Sequence, residues 1–258
     1  MENIQFLRGA IDAGDCIGNG WELVKRNPGL YIGAGLVTLI MISCIPFVNF
    51  VLIGPAMGGF AYIVLRDMRD EPVDFGMLFK GFEKFLPLML LGLIQAIPGI
   101  IFQVVQWTID LSKIALSSRG SDSTFYQADG LEPLQTGLAL GVIVVFLVYF
   151  VFQLIWNAAL LFAIPLIIEH DLGVIESIKL SLSAVFGNIG GLIVLSILGG
   201  LVGLLGILAF CLGIVVAMPV VWAANVFAYR QVFPLIERNF NIEPPPPTVY
   251  GSSFGQGM

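Results

Sequence analysis

Residues Asn188–Tyr229 read NIGGLIVLSILGGLVGLLGILAFCLGIVVAMPVVWAANVFAY, forty-two positions without an Asp, Glu, Lys, Arg or His. An α-helix rises about 1.5 Å per residue and a hydrocarbon core is about 30 Å thick, so one crossing takes roughly 20 residues. The run is too long for one crossing and right for two, with a turn in the glycine-rich region Gly203–Gly213. An irregular segment in lipid would leave backbone N–H and C=O groups unpaired, so both halves must be helical. Spans are expected at 188–207 and 210–230.

Working outward, three further uncharged runs precede this one. Leu30–Leu65 is broken at Ile45-Pro46-Phe47-Val48-Asn49, which suits two short helices at 29–46 and 49–66 with a Pro-Asn turn between them. Leu86–Ile109 supplies a third span, 86–109, and Leu134–Ile168 a fourth, 136–168, longer than a bilayer requires. Composition agrees: 57% of residues are hydrophobic and 12% charged, about half the charged share of an ordinary soluble domain, near 25%. The mean hydropathy is +0.93. The fold class is therefore all-α, a polytopic membrane helix bundle of about six transmembrane helices. Residues 1–242 form the membrane domain, and 243–258, Pro-rich and then Gly/Ser-rich, are expected as a disordered cytoplasmic tail.

Orientation follows the basic residues. With six spans, one side holds Arg8, Lys25, Arg26, Arg66, Arg69, Lys80, Lys84, Lys179, Arg230 and Arg238, and the other only Lys113 and Arg119. This places both termini in the cytoplasm of a bacterial cytoplasmic (inner) membrane. The first 27 residues carry Glu2, Asp12, Asp15 and Glu22 and lack an apolar core, so the first apolar run is expected to stay as an anchor. Amphipathic helices at the cytoplasmic interface are expected in Asp74–Leu86 (Phe75, Leu78, Phe79, Phe82 and Leu86) and in Leu172–Phe186 (Ile175, Ile178, Leu182 and Phe186). Ile17, Trp21 and Val24 repeat the pattern more weakly. A surface helix, a break and a pair of spans thus recur three times, a weak internal repeat.

Chemistry-bearing patterns are sparse. Cys16, Cys44 and Cys211 form no C-x-x-C, and His170 is the single histidine, in a Glu169-His170-Asp171 turn expected to be solvated. There is no P-loop and no basic run, so no cofactor, metal or nucleic acid is expected. No ionisable residue lies within a span, which argues against an ion-coupled pump. Uncharged polar residues are ordered instead. At 100° per residue, Gly92, Gln95, Gly99, Gln103 and Gln106 share an arc of about 80° on the third span, as do Tyr149, Gln153 and Asn157 on the fourth and Trp222, Asn225 and Tyr229 on the sixth. Gln95, Gln103, Gln106, Gln153, Asn157 and Asn225 either hydrogen-bond between helices or line a polar cavity. Gly54-x-x-x-Gly58, Gly187-x-x-x-Gly191 and Gly199-x-x-x-Gly203 are expected to let helix backbones approach closely.

Four motifs carry a resemblance: Gly20-Trp21-Glu22-Leu23-Val24-Lys25-Arg26-Asn27-Pro28, Gly54-Pro55-Ala56-Met57-Gly58-Gly59, Asp74-Phe75-x-x-Leu78-Phe79-Lys80-Gly81-Phe82 and Ala228-Tyr229-Arg230. Together they resemble an uncharacterised bacterial inner-membrane family related to the membrane domain found ahead of some glycerophosphodiester phosphodiesterases. The resemblance implies a six-helix inner-membrane protein. It does not imply the phosphodiesterase reaction, because one histidine cannot supply a catalytic pair. The expected function is that of a non-catalytic scaffold or accessory factor, not an enzyme, acting through membrane lipids, a membrane-protein partner or a second copy of the chain. The alternative is a transporter or channel-like protein for an uncharged or lipidic solute.

Overall fold

The computed structural model describes residues 5–43, 48–117, 132–209 and 212–234. Among these, every regular element is helical: α1 (Ala13–Arg26), α2 (Pro28–Ser43), α3 (Val48–Asp67), a 3-10 helix (Phe75–Phe82), α4 (Phe85–Ser117), α5 (Glu132–Leu160), α6 (Ala163–His170), α7 (Val174–Gly187), α8 (Ile189–Leu208) and α9 (Leu212–Val232). Five stretches are long and apolar enough to cross a membrane: Phe50–Asp67, Phe85–Thr108, Ile143–His170, Ile189–Leu208 and Gly213–Val232. The chain is an all-α membrane helix bundle. Among the described residues the first expected span is helical over Pro28–Ser43, sixteen residues, a rise of about 24 Å. The turn at 44–47, the loop at 118–131 and the tail at 243–258 lie outside the described residues.

The long run at 136–168 is not one helix. It breaks after Leu160, and α6 begins at Ala163. Ser181 of α7 closes the break: its Oγ donates to the Ala159 carbonyl at 2.8 Å and accepts from the Phe162 N–H at 3.3 Å. The remainder of the run, Ala163–Ile167, is buried.

The expected helix at 74–86 is a 3-10 helix over Phe75–Phe82, capped by Asp74 Oδ1, which accepts from the Gly76 N–H at 2.6 Å. Close approach to α3 explains it. A Cβ at Gly59 would overlap the Leu78 carbonyl, and one at Gly81 would overlap the Pro55 carbonyl. Leu78 and Gly81 therefore turn inward at the i, i+3 spacing that 3-10 geometry eclipses, while Phe75 and Phe79 stay exposed.

In α7 the face turned to the bundle is Ser177, Ser181, Ala184 and Val185. The expected apolar stripe is divided: Ile175 is 69% and Phe186 71% exposed, whereas Leu182 is half-buried and Ile178 packs against the core. A helix with small residues toward protein and large apolar residues outward suits a lipid interface.

Close packing centres on α3, which meets α2, the 3-10 helix and α4, and on α9, which meets α1 and α8. In lipid, helix association draws little on the hydrophobic effect and depends on close fit. Gly54 and Gly58 both face Leu88 of α4, and Gly54 also meets Gly92. Gly187 and Gly191 admit the N-terminal segment rather than another helix, since a Cβ there would meet Phe6 and Arg8, or Ile11. That segment is tied by Asn188, which accepts from the Ala10 N–H and donates to the Leu7 carbonyl, both at 2.9 Å. Gly199 touches Val221, whereas Gly203 faces open space.

This difference gives a test. Gly54→Ala should lower the thermal stability of the purified protein by about 2 kcal/mol, because backbone must move to admit a methyl group. Gly203→Ala should be neutral or stabilising by up to ~1 kcal/mol, through helix propensity alone.

Candidate functional site

At mid-depth, α2, α3, α4, α5, α6, α8 and α9 surround a cavity of about 610 Å³. Its walls are mostly aliphatic, with Phe60, Ser196 and Trp222 and the amides of Gln95, Asn157 and Asn225, and no charged side chain among them. A site of this size, largely apolar with a few placed polar groups, is typical of small-molecule pockets, which span about 300–1,000 Å³. Beside it lies a space of about 160 Å³ whose lining includes Gln95, Gly99, Gln153 and Asn157.

Three elements present the amides. Gln95 of α4 donates to Asn157 Oδ1 at 2.9 Å, and Asn157 Nδ2 donates to the Gln153 carbonyl at 2.8 Å. Pro98 sets their register. It has no N–H, so the Ile94 carbonyl loses its intrahelical donor, and the Trp156 indole donates to that carbonyl at 3.2 Å. Tyr149 donates to the Pro98 carbonyl at 3.4 Å and stacks on Phe102 with centroids 4.3 Å apart. Gln153 Oε1 is buried with no hydrogen-bond partner among the described residues. On the opposite wall, Trp222 and Asn225 stand one turn apart on α9.

The expected stripe is thus only partly assembled. Gln95, Asn157 and Asn225 reach the cavity and Gln153 its neighbour. Gln103 is exposed and Gln106 half-buried, and neither lines either space. Gln103, two turns beyond Gln95 on the same arc, is exposed. Gly203, expected at a helix contact, lines the cavity instead.

The polar cluster at the other level of the bundle has no signature in the sequence. Glu169, expected in a solvated turn, has a side chain only 8% exposed. It pairs with Arg69, accepts from Arg230 at 2.9 Å and from the Tyr229 hydroxyl at 2.7 Å. Asp67 similarly accepts from the Tyr31 hydroxyl at 2.6 Å and lies 3.6 Å from Arg26. Lys84 Nζ donates to the carbonyls of Ile167 and Ile168 at 2.9 and 2.8 Å, capping α6. These contacts tie the charged ends of α3, α6 and α9 together and close the bundle at that end. The alternation Tyr229-Arg230 could have pointed to a polar partner, but nothing in the sequence selects Glu169 for it.

Compared with known protein families, curated proteins and solved structures, the chain matches none.

Glu169→Gln should destabilise the folded protein by about 3 kcal/mol, since it leaves Arg69 and Arg230 facing each other without their shared carboxylate. Chemical unfolding in detergent would read this. Adding Arg69→Leu to it should recover part of the loss.

Proposed function

We propose that this chain is a non-catalytic scaffold or accessory factor of the bacterial cytoplasmic membrane that acts through lipid contacts made in its central cavity. The observation supporting this is the cavity itself: about 610 Å³, bordered by amides, aliphatic side chains and the Ser196 hydroxyl, with no Asp, Glu, His, Lys, Arg or Cys in its wall. General acid–base work needs a titratable group within hydrogen-bond reach of a reacting atom, and the cavity wall offers none. The motifs quoted from residues 20–28, 54–59, 74–82 and 228–230 support a kinship with the bacterial membrane domain named above. The reading that competes is a pathway for an uncharged or lipidic solute, favoured by the placement of Gln95, Asn157 and Asn225 on facing walls.

Folded yield and phenotypic complementation, measured together for Gln95→Leu, Gln153→Leu, Asn157→Leu and Asn225→Leu, separate the two. Contacts that only hold helices together are worth about 0.6 kcal/mol each, so a scaffold should keep its function in proportion to folded yield. A pathway should lose function in variants that remain folded.

Both termini are proposed to be cytoplasmic, because Arg66, Arg69, Lys84 and Arg230 gather at one end of the bundle. Burial, reinforced by Asp12 and Asp15, pushes the Cys16 thiol up to about 12, so it stays protonated and unreactive at neutral pH. With Cys44 and Cys211 replaced by Ala, Ser183→Cys on the exposed side of α7 should react with an impermeant maleimide in inverted vesicles and not in intact spheroplasts. Cys16 should add no background below about pH 10. Labelling in spheroplasts would reverse the orientation.

A further inference from the structure

The two walls of the central cavity differ in how their polar groups are satisfied. On one side Gln95 and Asn157 bond to each other at 2.9 Å, and Asn157 also donates to the Gln153 carbonyl at 2.8 Å. On the other, Trp222 and Asn225 border the cavity, and no hydrogen bond joins the side chain of either to another described residue. Trp222 is held in place by an edge-on contact with Phe60, ring centroids 5.4 Å apart. An amide and an indole N–H kept at membrane depth without partners cost free energy, so a bound molecule that pairs with them is favoured over bare hydrocarbon.

The chemistry of that molecule follows from the wall. Trp222 Nε1 and Asn225 Nδ2 offer donors suited to ester or ketone oxygens, and Asn225 Oδ1 accepts from a hydroxyl. No Lys, Arg or His borders the cavity, so a phosphate would be buried there without compensation. The route in is lateral. Leu154 of α5 borders the cavity yet is 47% exposed, and Gly200 of α8 borders it and is exposed as well. No close packing joins α5 and α8 among the described residues, so the exposed Leu154 and Gly200 mark the side of the cavity from which a lipid would enter, while the Glu169 cluster gathers at the charged end.

Building on the reading of the cavity as a lipid-contact site, we infer that it binds an uncharged lipid of the diacylglycerol class, with ester and hydroxyl groups at Trp222 and Asn225 and acyl chains passing out between α5 and α8. Hydrocarbon chains suit the aliphatic walls, and the lipid reaches the site without its polar group crossing the charged end of the bundle.

The test uses the full-length protein in phosphatidylcholine nanodiscs containing a photoreactive diacylglycerol or, in parallel, a photoreactive phosphatidylglycerol, with labelled peptides mapped by mass spectrometry. The expected result is labelling of α8 and α9 around Gly200 and Trp222 by diacylglycerol, displaced by unlabelled diacylglycerol and not by phosphatidylglycerol. A Cβ at Gly203 meets nothing within 4 Å, so Gly203→Phe can fill the cavity without a clash at its first atom. It should cut labelling about tenfold at unchanged melting temperature, a loss of about 1.4 kcal/mol in binding. Asn225→Leu should remove the preference for diacylglycerol over phosphatidylglycerol while leaving Gly54 packing and folded yield intact. Equal labelling by the two lipids, or a preference that survives Asn225→Leu, overturns the uncharged-lipid inference but leaves lipid binding in place, provided Gly203→Phe still blocks it. Labelling insensitive to Gly203→Phe overturns both.

Discussion

The indole of Trp156 reaches across from α5 to the Ile94 carbonyl on α4, and this one hydrogen bond states the constraint that shapes the molecule. Pro98 removes the N–H that would have satisfied Ile94, and no water in hydrocarbon can replace it. Three further interruptions meet the same demand with a side chain. Ser181 bridges Ala159 and Phe162 where α5 gives way to α6. Lys84 covers Ile167 and Ile168 where α6 ends. Asn188 serves the junction of α7 and α8, donating to the Ala184 carbonyl at 2.8 Å while holding the N-terminal segment. The tertiary structure is in large part the set of contacts that these breaks require.

That constraint also governs which parts of the fold can be read from the sequence. The uncharged runs mark helices at membrane depth directly, because apolar length is set by bilayer thickness and needs no knowledge of neighbours. The boundaries of Ile189–Leu208 and Leu212–Val232 follow closely from the Asn188–Tyr229 run. The interruption after Leu160 is hidden by apolar length although its cause is local: Pro165 has no N–H for the Leu161 carbonyl and is accommodated in the first turn of α6, while Ser181, twenty residues later, satisfies the backbone groups freed at the break. The 3-10 helix is hidden for a related reason. Its apolar spacing fits an α-helix equally well, and only the glycines at 59 and 81, brought together in space, select the tighter form.

The candidate site divides along the same line. Periodicity on α4, α5 and α9 identifies Gln95, Asn157 and Asn225, because a polar residue on a helix in lipid turns toward whatever protein surrounds it. The same argument misplaces Gln103: a shared arc along one helix does not guarantee a shared environment, and two turns beyond Gln95 the side chain is exposed. Gly203 is misread for a converse reason. Small residues allow close approach but do not compel it, and the space beside Gly203 belongs to the cavity rather than to a second backbone. Glu169 and Asp67 are invisible to pattern altogether. Each is an acid in a charged, turn-rich segment where solvation is the ordinary expectation, and only the convergence of Arg69, Arg230 and Tyr229, or of Tyr31 and Arg26, withdraws them from water.

The two polar systems have opposite consequences for a ligand. At the charged end every acid that turns inward is met by a base or a hydroxyl, and the result is closure: α3, α6 and α9 cannot separate there without exposing Glu169 to unpaired burial. In the cavity the polar groups are uncharged, and those on α9 lack partners among the described residues. The bundle is held by charge at one end and by close fit of small residues elsewhere. The cavity lies away from the charged cluster, and Leu154 and Gly200 of its lining are exposed. On the lateral route inferred above, a lipid exchanging with the cavity would move in the plane of the membrane and would not pass the paired charges.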